Sequence, residues 1–470
     1  VPAMRLKITA LAAMTLMGCA LAAENPSIAY IQRTMKRAAE STPENPATIR
    51  VMFYGQSITC QAWTTQVADM LVKRFPNARF QFINPSMGSF ESSWLIHTAE
   101  HDLYYYYPDL LIFHTYGPTS LYEEIIRRVK QRTTTEVVLW TSHFSFNGDK
   151  VTDMTQRVAD IKRTAESCQT ALVDVRAKWA RHCEANNFSG KELLRDAIHL
   201  NADGEKLMAQ FIGEELVRVP ALGDNPSAAG TVQTITLADP AVTVNAADQS
   251  LTLRFNGNYL SCATTTGAAP VPVKLFLDGQ PVEAVPELWH ITRPKGFITE
   301  RPAIMNVQKR GLLQAEDWTM AFLPDCSPDG KRIHFSLSGS LSGPQGEGWS
   351  DQDFTSTNGT LFMPANLWIG NFMFRYFAKQ LEPIYPEKCS INFTSFPVFP
   401  ATIPAADQLR MTLARVRTID GVQLPTVLLQ GIANGPHELR IIPQDGQTLP
   451  VSHFNAHQPP ATWGKTATEQ

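Results

Sequence analysis

Between Ala47 and about Val219 short apolar runs alternate with amphipathic stretches, and that alternation limits the fold more than any other feature of the chain. Strands are predicted over residues 49–54, 80–84, 110–114, 137–141 and 171–175. Helical periodicity covers 62–74, 92–100, 122–132, 155–167, 176–186 and 202–217. Strands joined by crossover helices bury both faces of a parallel sheet, so the expected class is α/β, a doubly wound five-stranded parallel sheet. Sheets of this kind bind ligands at the carboxyl ends of their strands.

After Pro220 the period changes. Residues 220–229 form a linker rich in Pro, Gly, Ala and Ser, followed by period-2 runs at 250–255, 273–277, 332–337, 409–413 and 437–442. Asp-Gly pairs at 278–279, 420–421 and 445–446 punctuate them as turns. Nine of the 32 prolines precede residue 221, so the two halves are built differently. The second half is expected to be an all-β, sandwich-like accessory region. It divides into 230–400 and a stretch 401–460 that is either a terminal β module or a continuation of the same domain.

Composition removes some functions. With 41 Lys and Arg against 44 Asp and Glu, the net charge of −3 leaves no basic field for a polyanion, so nucleic acid is not an expected partner. Residues 4–23 read as an export signal, with Arg5 and Lys7 ahead of a short apolar run too brief to span a membrane. Leu16-Met17-Gly18-Cys19 reads as a lipobox that would lipidate Cys19, while Ala20-Leu21-Ala22 offers ordinary cleavage. Either route implies an exported protein, periplasmic or secreted, with the lipobox route giving an outer-membrane lipoprotein. Six cysteines follow Cys19, three in each half, so complete pairing would need a bridge between halves, and free buried thiols are expected. Their spacing suggests no metal site.

Two segments carry chemistry. The first strand ends in Gly55-Gln56-Ser57-Ile58-Thr59 before a helix, which exposes a serine hydroxyl at the sheet edge. The second is Asp196-Ala197-Ile198-His199-Leu200-Asn201-Ala202-Asp203-Gly204, just before the last helix of this half. An Asp three residues ahead of a His can accept the imidazole Nδ1–H and leave Nε2 free to take a serine proton. Taken separately, the second segment reads as a helix cap beside a surface histidine. Together, Ser57, Asp196 and His199 form a candidate nucleophile, orienting acid and base that a doubly wound sheet brings to one edge.

Over residues 47–219 these blocks resemble the SGNH, or GDSL-type, hydrolase superfamily. The resemblance implies a flavodoxin-like fold and a serine esterase that needs no cofactor. Its oxyanion glycine falls on Gly88 in Asn84-Pro85-Ser86-Met87-Gly88-Ser89, or on Ser89 by ungapped counting, with the Ser57 N–H as second donor. Tyr116 stands where the family places an asparagine side-chain donor, so one donor is replaced or missing. Gln56 replaces the usual Asp, a variant similar to carbohydrate acetylesterases, which implies an acetylated carbohydrate substrate. The same triad would also serve a polysaccharide O-acetyltransferase, and Tyr116 fits a decayed glycan-binding protein. His114 and His143, at the carboxyl ends of strands three and four, are candidate substrate contacts.

Overall fold

The computed structural model describes residues 25–223, 226–295, 301–327, 331–369, 389–405, 411, 415–418 and 424–460. The export signal with Cys19, and most of the 409–413 run, lie outside the described residues. A helical pair opens the described chain, a 3₁₀ turn at Pro26–Ile31 leading into α1 (Gln32–Ala39). Then follow β1 (Thr48–Gly55), α2 (Trp63–Arg74), β2 (Arg79–Asn84), α3 (Ser92–Thr98), α4 (Leu103–Tyr106), β3 (Leu110–His114) and α5 (Thr119–Arg132). β4 (Glu136–Trp140), α6 (Thr155–Ser167), β5 (Ala171–Val173), α7 (Val175–Asn186) and α8 (Ala202–Glu215) complete this half.

The five predicted strands pair in parallel in the order β2-β1-β3-β4-β5. The sheet is not five-stranded, however. Arg415–Thr418 of the second half adds an antiparallel sixth strand outside β2, with Val416 opposite Ile83. The helical pair is a further addition to the region expected to begin near residue 47. Its Ile28, Ile31 and Met35 lie in the core, and Arg33 and Thr34 present backbone N–H groups to the Glu136 carboxylate.

Side-chain alternation along the strands sorts this core into two layers. Val51 and Phe53 of β1 face Trp63, Val67, Trp179 and Ile212. Met52 and Tyr54 face the opposite layer with Leu95, Tyr122, Ile125 and Ile161. Trp63 fills the first layer edge-on, with ring centroids 5.8 Å from both Phe53 and Trp140. Its indole N–H donates to Ile58 O at 2.6 Å, which fastens the turn after β1 to α2.

The second half is built of antiparallel sheets. Strands β6 (Thr231–Thr236), β7 (Leu251–Thr264) and β8 (Val271–Leu277) share a sheet with Thr426–Pro443 and Val451–Gln458. The stretch after residue 424 therefore continues the sheet that begins at 231. A separate five-stranded sheet is formed by Trp289–Ile291, Glu316–Phe322, His334–Gly339, Gly343–Trp349 and Ser390–Pro397. Cys168, Cys183, Cys262 and Cys326 are buried and form no disulfide. Among the described residues no helix is long and apolar enough to cross a membrane.

The halves meet through buried polar contacts. Arg293 Nη1 lies 2.6 Å from Asp102 Oδ2, with both side chains at most 1% exposed. His101 Nδ1 donates to Ile291 O at 2.7 Å, Tyr107 OH to Asn258 Oδ1 at 3.1 Å, and Thr134 Oγ1 pairs with His457 Nδ1 at 2.8 Å. Tyr104, Tyr106 and Tyr107 are buried, so three of the four consecutive tyrosines at 104–107 pack inside the molecule.

Candidate active site

Ser57 sits on a single helical turn between β1 and α2, closed by bonds from the Thr59 and Cys60 N–H groups to Gln56 O. Gly55 makes that turn possible. Its φ of +152° suits glycine, and a Cβ there would lie 2.2 Å from His114 O on the neighbouring strand and 2.6 Å from Thr59 Oγ1. Since the carbonyl belongs to the β-ladder and cannot yield, Gly55→Ala should destabilise the fold by about 2 kcal/mol or more and displace Ser57. Thermal denaturation and turnover measured together check this, and a variant with native stability and rate would refute it.

The segment 194–200 forms a tight loop, with Arg195 N–H bonded to His199 O at 2.9 Å and a bridge between Leu194 and Leu200. Asp196 Oδ1 accepts the N–H groups of Ile198 (2.9 Å) and His199 (2.7 Å), and Oδ2 accepts His199 Nδ1–H at 2.8 Å. Desolvation pulls the Asp196 pKa upward, but the two backbone donors and the imidazole outweigh it and hold the carboxyl at about 2. Asn201 caps α8 by accepting from the Asp203 and Gly204 N–H groups.

His199 Nε2 lies 3.0 Å from Ser57 Oγ. The structure thus brings Ser57, His199 and Asp196 into one hydrogen-bonded chain across 142 residues of sequence separation. Gln56 Oε1 stands 3.2 Å from the same hydroxyl, a second and longer acceptor. Gln61, which the sequence did not single out, joins the two segments. Its buried amide donates to Leu200 O at 2.9 Å and accepts the Leu200 N–H at 3.1 Å.

The Pro85–Gly88 loop lies alongside. Cys60 Sγ donates to Ser86 O, and a Cβ built on Gly88 would lie 3.9 Å from Ser57 Cβ. Among the described residues, no acceptor is seen for the Ser57 or Gly88 N–H, which leaves both free to meet a developing oxyanion. Ser89 instead holds a left-handed φ of +70°. Tyr116 makes no hydrogen bond to Ser57. Among the described residues its buried hydroxyl makes no well-formed hydrogen bond, and burial raises its pKa against the opposing pull of nearby Ser142.

The two histidines expected to touch substrate are placed behind the site. His114 is 1% exposed, stacked on Trp140 at 4.0 Å and bonded through Nε2 to Ser142 Oγ at 3.0 Å. Its location at the end of β3 is as read, but the ring turns into the core because β3 is covered on both faces. His143 is also fully buried. Its Nε2–H donates to Ile198 O at 2.7 Å, and burial, with Arg176 and His199 nearby, holds its pKa at about 4 against the pull of that carbonyl. A neutral His143 therefore braces the loop that carries His199.

No family model and no curated protein matches the chain. Among solved structures it is similar to a two-domain esterase active on acetylated mannans, co-crystallised with mannopentaose. That match has 15% identity over 91% of this chain and 94% of the other, with a TM-score of 0.35. An acetylxylan esterase from Geobacillus stearothermophilus is similar over 37% of this chain and 98% of its own, at 18% identity and a TM-score of 0.32. An acetyl xylan esterase is similar over 35% and 98%, at 20% identity and a TM-score of 0.30. Because these TM-scores all lie below 0.5, the geometry around Ser57 carries the functional reading by itself.

Proposed function

We propose that the protein is a serine esterase that removes O-acetyl groups from a carbohydrate. The observation that carries this reading is the chain from Ser57 Oγ through His199 to Asp196, at 3.0 and 2.8 Å. Ser57 Oγ attacks the acetyl carbonyl while His199 Nε2 takes its proton, and Asp196 stabilises the imidazolium that forms. The Ser57 and Gly88 N–H groups receive the oxyanion. His199 then returns the proton to the departing sugar hydroxyl, which leaves an acetyl-Ser57. Water, deprotonated by the same imidazole, releases acetate and restores the serine.

The acyl group and the alcohol have separate support. Gln56 beside the nucleophile resembles the carbohydrate-acetylesterase variant of the first block. The near-neutral charge suits a neutral polymer, which needs hydrogen bonds and aromatic contacts more than a charged field. The test is acetate release from acetylated mannan and xylan oligosaccharides and from p-nitrophenyl acetate. Wild type should release acetate from all three, and Ser57→Ala should reduce this to background. Turnover retained by Ser57→Ala would overturn the reading, and transfer to an added sugar faster than hydrolysis would convert it to a transferase.

A further inference from the structure

The Pro85–Gly88 loop is held from outside its own half of the molecule. Three arginines of the β-rich half direct guanidinium N–H groups at its carbonyls. Arg301 Nε donates to Gly88 O at 2.8 Å, Arg293 Nη1 to Pro85 O at 3.4 Å and Arg415 Nη2 to Ser86 O at 3.4 Å. Arg293 also carries the buried ion pair with Asp102. Arg301 comes nearest the chemistry. A methyl group built on Gly88 would lie 2.7 Å from Arg301 Nη2 and 3.9 Å from Ser57 Cβ, so guanidinium and nucleophile flank one space beside the Gly88 Cα.

From this geometry we infer that Arg301 belongs to the active site. It holds the Gly88 carbonyl, which steadies the residue whose N–H meets the acyl oxygen, and it sets a positive charge beside the oxygen that becomes negative. The inference rests on the esterase reading and deepens it, because Tyr116 replaces the side-chain donor expected at the oxyanion site. A preoriented donor at such a site is worth about 10²–10³ in kcat. A charge held there by another part of the chain costs no reorganisation during reaction. The β-rich half then completes the catalytic centre, whatever else it binds.

The experiment compares wild type, Ser57→Ala, Arg301→Met, Arg301→Lys and Arg301→Ala, each as the full chain, on p-nitrophenyl acetate and on an acetylated mannan oligosaccharide. Arg301→Met should lose about 100-fold in kcat on both esters with KM little changed. Arg301→Lys should recover part of that loss by restoring charge without the fork. Low, non-denaturing guanidinium chloride should partly rescue Arg301→Ala, and a thermal midpoint for each variant separates catalysis from folding. Wild-type kcat in Arg301→Met, or a loss confined to KM for the oligosaccharide, would overturn the inference and leave the esterase reading intact. Absence of Ser57-dependent turnover in wild type would overturn both. If Arg301→Met fails to fold, wild-type kcat in Arg301→Ala, or a loss in Arg301→Ala that neither guanidinium nor the Arg301→Lys substitution relieves, overturns it instead.

Discussion

Replacing His199 with alanine should lower kcat for acetate release by about 10⁶-fold, and adding Ser57→Ala should lower it little further. Both side chains act in one proton transfer. Once His199 Nε2 no longer stands 3.0 Å from Ser57 Oγ, the hydroxyl has no base and its own removal changes little. Asp196→Asn should cost less, about 10⁴-fold. The amide can still sit against Nδ1, but it can donate there and favour the tautomer with its proton on Nε2, which blocks proton transfer from serine. Asp196 lies on a partly exposed loop yet is fixed by two backbone N–H donors, so the substitution tests its charge and tautomer control more than its position. Single-turnover kinetics with p-nitrophenyl acetate read wild type, Ser57→Ala, His199→Ala, the double variant and Asp196→Asn. Additive losses in the double variant would show that Ser57 and His199 do not act together.

What could be read from sequence followed locality. Each of the five parallel strands came within two residues of its observed bounds, because a strand covered on both faces is a nearly continuous apolar run, broken here only by single polar residues such as Arg50 and Gln81. The Asp196 to His199 relation was legible for the same reason, since three residues of loop fix it. Arg415–Thr418 was not. Four exposed or half-exposed residues, two of them arginines, carry no hydrophobic period, and only the neighbouring edge of β2 makes them a strand. His114 and His143 were placed on the right strand ends but with the wrong orientation, since sequence does not say which way a ring turns beyond the last ladder pair. Arg301 and Arg293 were invisible because their meaning arises when two separately built halves dock. Gln61 was hidden in the residues just before α2, although its reciprocal bonds to Leu200 hold serine turn and histidine loop together.

Breaking the ion pair at the junction should produce the largest loss of stability. Arg293→Met and Asp102→Ala should each cost about 3–5 kcal/mol, because removing one partner leaves the other charged in a dry site. Both side chains are almost wholly shielded from water, at 2.6 Å from each other. The two variants should differ in how they respond to pH. Burial already raises the Asp102 pKa, to about 6, against the downward pull of Arg293. Without that arginine the carboxyl is pushed higher still and can escape the penalty by taking up a proton. A folded-state pKa above the unfolded value means that stability rises as pH falls through it. The deficit of Arg293→Met should therefore shrink between pH 8 and 5, on the scale of ordinary carboxyl shifts of a few units. The deficit of Asp102→Ala should persist, because a guanidinium cannot shed its proton in this range. Urea unfolding at several pH values measures both, and equal pH profiles would show that the junction does not depend on the charge of this pair. Arg293 also reaches Pro85 O, so loss of the pair should loosen the loop beside Ser57 and lower kcat in whatever fraction remains folded.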